Sequence, residues 1–322
     1  MRAHPLITTF CAALLGASCQ DAPTSEASAP PPMAMADPIA FDINDIETFF
    51  NCIDAAGLAL VSAHRGGPVV GYPENALPTF ERTVAAGIPL LEIDVATAAD
   101  GVLFLHHDDT LDRTTTGTGV AANTTWDEIR QLSLRDPLGE VTAYGPNTLD
   151  EALAWADGKA ILQLDIKRST DYDDVRAAVE KAGATERVVV IAYTEGQAAA
   201  LVRRFPNTMI SATVMSMEDV DNLIAAGLRE DQILAWTGTE APSPLLYEEL
   251  DARGIEVAFG TLGGSRSIDR EIEATRNDAR YASLVAEGID MIATDRPFAA
   301  YEALALAGQA GPGAACAAPG TP

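Results

Sequence analysis

From residue 58 onward the chain alternates short, almost unbroken apolar runs with longer amphipathic stretches. The runs are LALVSA (58–63), LLEIDV (90–95), AILQLDI (160–166), VVVIA (188–192), MISATV (209–214), ILAWT (233–237), IEVAF (255–259) and MIAT (291–294). Apolarity with so little alternation suits parallel strands that are covered on both faces. Between the runs lie helical patterns such as DDVRAAVEKAG, where Gly183 supplies a C-terminal stop. Eight strands separated by helices predict an α/β fold, a (β/α)8 TIM barrel. A doubly wound open sheet is the alternative, but no glycine-rich dinucleotide loop follows the first run.

The interval between the second and third runs is too long for one strand–helix unit. Asp100-Gly101 reads as a hairpin turn and residues 102–106 as a short extra strand. The polar remainder, residues 108–147, is expected to form a small insertion over the barrel mouth, where long loops commonly serve binding.

Before the first run the pattern fails. Arg2 precedes an apolar stretch that ends in small residues, so residues 1–19 read as a secretory signal peptide. Its ending, LLGASC, resembles a bacterial lipoprotein box with Cys19 as the acylated residue, with plain cleavage and release as the alternative. Residues 20–40 are rich in Pro, Ala and Ser and form a flexible linker; residues 41–310 form the folded domain and 311–322 a flexible tail. These features predict an exported protein that is periplasmic, anchored to a membrane through an N-terminal lipid, or secreted. Export would place Cys52 and Cys316 where they can pair, with two free thiols as the alternative.

The balance of 21 Lys and Arg against 47 Asp and Glu gives a net charge of −26. Such a surface argues against nucleic acid as a partner and against docking on anionic lipid. An anionic substrate would need a local positive centre, supplied by a metal ion or by clustered Arg and Lys.

The candidate chemistry collects at the ends of the predicted strands. Three of the four histidines fall between residues 62 and 119. His64 and Arg65 follow the first strand, Glu92 and Asp94 end the second, and Asp165 and Lys167 end the third. Glu92 and Asp94 are two apart and share one face of their strand. Two neighbouring buried carboxylates call for a neutralising charge, either Arg or Lys across the barrel or a metal cation, and Asp165 as a third oxygen ligand favours the metal. An all-carboxylate set suits Mg²⁺ or Ca²⁺ rather than zinc. Histidines beside such a site fit paired acid–base work, and Arg65 and Lys167 fit phosphate binding. His106 and His107 are adjacent on an extended segment, so only one of them can face the site.

The motifs AHRGG, PEN, EIDV, DG, HDDTLDRTTTGTG, LDIK and IDMIATDRP occur in the order seen in the glycerophosphodiester phosphodiesterase family, which the chain resembles from Ala63 to Pro297. The resemblance implies a barrel with an insertion after its second strand. It also implies cation-dependent hydrolysis of a small-molecule glycerophosphodiester to glycerol 3-phosphate and an alcohol. By the same motifs, His64 and His107 resemble the acid–base pair, and His106 becomes a structural neighbour. Glu92 and Asp94 match the metal carboxylates, Asp165 stands where many members carry Glu, and Lys167 matches the Lys that follows. Arg65 resembles the phosphate-binding Arg and Glu74 the acid of PEN, while Asn75 reads equally as the N-cap of the next helix. One departure is AFGTLGG, where many members carry Trp-Thr-Val-Asn on the seventh strand. Trp236, on the sixth, either replaces that wall or packs the barrel. Three other readings of the constellation are a lysophospholipase D-type diesterase, an inactive phosphodiester-binding lipoprotein and a glycosidase. The first needs an apolar groove at the mouth, and the last leaves the histidines and Arg65 without a role.

Overall fold

The structure, a computed structural model, describes residues 46–312 and Cys316. The expected signal peptide, Cys19, the linker and most of the tail lie outside the described residues. Nine strands are present: β1 (Leu60–Ala63), β2 (Leu90–Thr97), β3 (Leu103–Leu105), β4 (Ile161–Ile166), β5 (Val188–Ala192), β6 (Met209–Thr213), β7 (Ile233–Trp236), β8 (Glu256–Gly260) and β9 (Met291–Thr294). All but β3 run parallel in the order β1-β9-β8-β7-β6-β5-β4-β2, and pairing of β1 with β2 closes the ring. The architecture is a (β/α)8 barrel, and each apolar run supplies one of its eight strands. The antiparallel β3 extends β2 outward, with Val95 opposite Leu105.

Every barrel strand is buried on both faces, which explains the missing period-two pattern. One interior residue from each strand (Leu60, Leu90, Ile161, Val189, Met209, Leu234, Ala258 and Met291) joins an apolar layer at the N-terminal end of the barrel. Helix α1 (Ile46–Ala55) closes that end, burying Ile46, Phe49, Phe50 and Ile53 against the layer. Covering large apolar side chains in this way contributes on the order of 1.5–3 kcal/mol each. The chain returns to the same end after its last helix (Pro297–Ala307), where Gly311 N–H donates to the Ala59 carbonyl. Cys52 of α1 and Cys316 are joined by a disulfide, with their Cα atoms 5.8 Å apart. The pairing alternative therefore holds, and the tail is fastened to α1 at Cys316.

Residues 106–147 lie at the opposite, C-terminal end. They contain little regular structure: a helical turn at Ala121–Asn123, a short helix at Trp126–Ile129 and isolated bridges. Their own small core joins Phe104, Leu111, Ala121 and Ile129 to Ala96 and Ala98 at the edge of β2. No helix among the described residues is long and apolar enough to cross a membrane.

Candidate active site

Catalytic groups of a (β/α)8 barrel sit at its C-terminal face, at the ends of the strands. A one-turn helix, His64–Gly66, begins immediately after β1. Arg65 within it is left-handed, with φ of 52°. That turn aims the Arg65 N–H at Glu92 Oε2, 2.8 Å away, and lets Arg65 Nη1 reach Glu74 Oε1 at 2.9 Å. Gly66 is required behind it: its φ is 81°, and a Cβ there would collide with the Phe80 ring of α2 (Leu77–Ala85).

The carboxylates Glu92, Asp94 and Asp165 come together as expected. Asp94 and Asp165 are direct neighbours across the β2–β4 pairing. Each of the three offers an oxygen within 4.8 Å of the others, and all are buried. Burial raises the pKa of Glu92 and the Asp94 charge raises it further. Burial works the same way on Asp94, but Lys167 Nζ, 2.5 Å from its Oδ1, overrides it and leaves Asp94 lowered. Lys167 also reaches Asp165 Oδ2 at 2.7 Å, and its own pKa rises despite burial because both carboxylates face it. Asn75 holds Asp94 from the other side, donating Nδ2 to Oδ2 at 2.6 Å and accepting the Asp94 N–H at 2.9 Å. The N-cap of α2 is Ala76, so Asn75 clamps a carboxylate and the N-cap reading fails.

The histidines stand on either side of this group. His64 Nδ1 is 2.6 Å from Asp295 Oδ1, and its Nε2 is 4.0 Å from Glu92 Oε2. Burial would lower the His64 pKa, but the Asp295 hydrogen bond and the Glu92 charge leave it raised. Asp295 is itself fixed by the Gly263 N–H, and buried Asp269 accepts from both Thr294 Oγ1 and the Asp295 N–H. His107 Nδ1 is 2.7 Å from Asp108 Oδ1. Asp108 accepts two hydrogen bonds from Arg113, which lower its pKa, and Arg113 makes two more to Glu74. Burial would raise Glu74, yet Arg113 and Arg65 keep it lowered. His106 faces away from the site, stacked on Phe104 with its Nε2 3.0 Å from the Thr110 carbonyl.

His64, His107 and the three carboxylates line a cavity of about 190 Å³. Glu74, Arg65 and Lys167 stand behind that lining and brace it. Arg65 Nε is buried there without a hydrogen-bond partner, 3.8 Å from Asp94 Oδ2. The opposite side of the cavity is largely apolar and includes Ile191, Trp236 and Leu262. Tyr193, at the end of β5, donates its hydroxyl to Asp165 Oδ2 at 3.0 Å; burial and that carboxylate push its pKa up. Asn75, Tyr193 and Arg113 are site residues to which sequence reasoning gave no role there. It places Asp295 at the catalytic end of the barrel, since that residue closes the last strand, but without a specific role.

The model of the glycerophosphoryl diester phosphodiesterase family matches residues 64–221. A solved structure of a glycerophosphoryl diester phosphodiesterase from Parabacteroides distasonis superposes with a TM-score of 0.75 at 31% identity, covering 83% of this chain and 94% of that one. The chain belongs to the glycerophosphoryl diester phosphodiesterase family. Among curated relatives, the uncharacterized protein YqiK of Bacillus subtilis is 29% identical over 156 residues, 46% of this chain and 63% of its own length. A glycerophosphodiester phosphodiesterase of Caldanaerobacter subterraneus is 41% identical over 81 residues, 25% of this chain and 33% of its own length. The chain thus aligns with less than two thirds of either curated relative.

The donor set fits the divalent cation implied for this family. Of the three buried carboxylates Lys167 reaches only Asp94 and Asp165, and Arg65 makes its hydrogen bond to Glu74 with its Nε no closer than 3.8 Å to Asp94, so the cluster keeps room for a further positive charge. Oxygen ligands alone, with no cysteine or histidine among them, suit a hard ion.

Proposed function

We propose that the protein hydrolyses glycerophosphodiesters to glycerol 3-phosphate and an alcohol, with His64 and His107 transferring protons. The observation that carries this reading is the placement of both histidines in one cavity with the buried cluster Glu92, Asp94 and Asp165. With a net charge of −26, the protein needs a local positive centre to attract a phosphodiester. A divalent cation, Mg²⁺ or Ca²⁺, held by Glu92, Asp94 and Asp165 would supply that charge and lower the pKa of a glycerol hydroxyl.

The chain's own residues perform the proton chemistry. Asp295 and Asp108 accept the Nδ1 protons of His64 and His107, which leaves each Nε2 for transfer. One Nε2 takes the proton of the glycerol 2-hydroxyl as its oxygen attacks phosphorus. The other Nε2 protonates the alcohol oxygen as its bond to phosphorus breaks. Water then opens the cyclic phosphate with the two roles exchanged. Arg65, just behind the lining, keeps a buried Nε without a hydrogen-bond partner and is the side chain assigned to a phosphate oxygen.

Export, with Cys19 as a lipid anchor or with simple release, completes the proposal. The Cys52–Cys316 disulfide supports it, since such bonds persist in oxidising compartments. Incubation with glycerophosphocholine and Mg²⁺ or Ca²⁺ tests the activity: equimolar glycerol 3-phosphate and choline are expected. Release of phosphocholine and glycerol instead would contradict the stated bond cleavage, and no turnover with either ion would end the proposal.

A further inference from the structure

Around the closed barrel, β7 lies four strands from β2 in either direction, so the two face each other across the interior. β2 carries Glu92 and Asp94, and β7 ends in Trp236. Trp236 lines the cavity and also packs on the apolar layer above α1. It therefore separates the cavity from the closed end of the barrel on the side opposite the carboxylates.

The indole occupies space that a neighbouring residue leaves for it. A Cβ on Gly260 of β8 would lie 2.5 Å from Trp236 Cη2 and 2.7 Å from Thr239 Cγ2. Gly260 is not among the residues with positive φ, so no backbone conformation demands glycine there. What it provides is room. Of the other interior residues lining the cavity, Ser211 and Ala293 are small, whereas Gln163 and Ile191 are not. Among the described residues that line the cavity, only Trp236 also packs on the apolar layer beneath, which makes the indole its floor.

We propose that Trp236, seated in the space Gly260 leaves, sets the depth of the cavity and restricts the non-leaving half of the diester to unacylated glycerol. The proposal rests on the phosphodiesterase reading and goes further by assigning a determinant of substrate size. Glu92 precedes Asp94 on an inward face of β2, so it sits nearer the closed end. The hydroxyl-bearing half, held by these carboxylates at the depth of Glu92, is therefore the half that fills the space between β2 and the indole across the barrel. The leaving alcohol points to the mouth, where His107 and the exposed Tyr193 stand. An acyl chain on the glycerol would have to displace the ring.

The test is calorimetric titration of the Mg²⁺-loaded protein with glycerol 3-phosphate and with its 1-hexanoyl ester. The native protein is expected to favour the unacylated ligand. Trp236→Ala should narrow that preference by at least about tenfold, the scale on which a few methylenes discriminate in an apolar site. The narrowing should come chiefly from tighter binding of the ester. Trp236→Phe, which keeps most of the packing, should narrow it less. Gly260→Ala, which pushes the ring into the cavity, should weaken both ligands. Preference in Trp236→Ala and Trp236→Phe within about twofold of the native value would overturn the proposal. Glycerophosphocholine turnover by the native protein reports on the activity separately. An active enzyme with unchanged preference fails the depth claim alone, and binding of neither ligand by the native protein fails both.

Discussion

His64 and His107 each rest one ring nitrogen on a carboxylate, but the two supports are built differently. Asp108 is the next residue in the chain and is fixed by Arg113. Asp295 lies 231 residues away, its carboxylate held by the Gly263 N–H and its own N–H by the Asp269 carboxylate. Fixing the tautomer and ring angle is what such a carboxylate does for a catalytic imidazole. Asp295→Asn should therefore lower kcat by about 10–100-fold with little change in KM, and Asp295→Glu should recover part of the loss. Steady-state kinetics on the two variants decides, and a kcat within about twofold of native in Asp295→Asn would reject the positioning role. The adjacent histidines make a paired comparison. His107→Ala should remove roughly 10²–10⁴-fold of the activity. His106→Ala should instead lower the melting temperature, because it removes a buried ring stacked on Phe104. If His106→Ala abolishes turnover in a folded protein while His107→Ala does not, the assignment is reversed.

At the scale of elements, the strands could be read because burial on both faces leaves a mark in the chain. LLEIDV and AILQLDI show it, and within them only the residues facing the cavity break the apolar run. Glu92 and Asp94 could be paired for the same reason, since a strand's period of two is local. Asn75 and Tyr193 could not be assigned. Each acts on a carboxylate from a different element, and no spacing in the sequence records a contact between loops. Trp236 was visible but ambiguous, because its partner is the absence of a side chain at Gly260. A second feature hidden from the sequence lies at the closed end. Burial pushes Glu256, at the start of β8, up to about 8, and pushes Asp290, just before β9, up to about 7. Well below about pH 4 both groups are protonated whether the chain is folded or not, and no stability is lost. As pH rises towards 8 the unfolded chain gives up protons that the fold still holds, so stability falls across that window. The pair shares its protons, so removing one acid should recover about 2 kcal/mol at pH 8.5. Glu256→Gln should thus melt roughly 4–8 °C above native at pH 8.5 and close to native at pH 4.5. An equal difference at both pH values would contradict this account.

The described residues form a barrel with one end closed by α1 and the other bearing the site. The Cys52–Cys316 bond spans 264 residues and ties α1 to the returning tail. Closing so long a loop should contribute roughly 2–5 kcal/mol. Melting with and without reductant should show a lower midpoint for the reduced protein, and Cys52→Ser should match the reduced form. Identical midpoints would mean that the bond does not form or does not constrain the chain. At this scale the central claim is that three buried carboxylates of a strongly acidic protein become productive only when they hold a divalent cation. The direct measurement is glycerol 3-phosphate release from glycerophosphocholine before chelation, after exhaustive EDTA treatment, and after Mg²⁺ or Ca²⁺ is returned. The account predicts turnover that is lost and then restored, with Asp94→Asn inactive throughout. Full turnover in the chelated protein would contradict it.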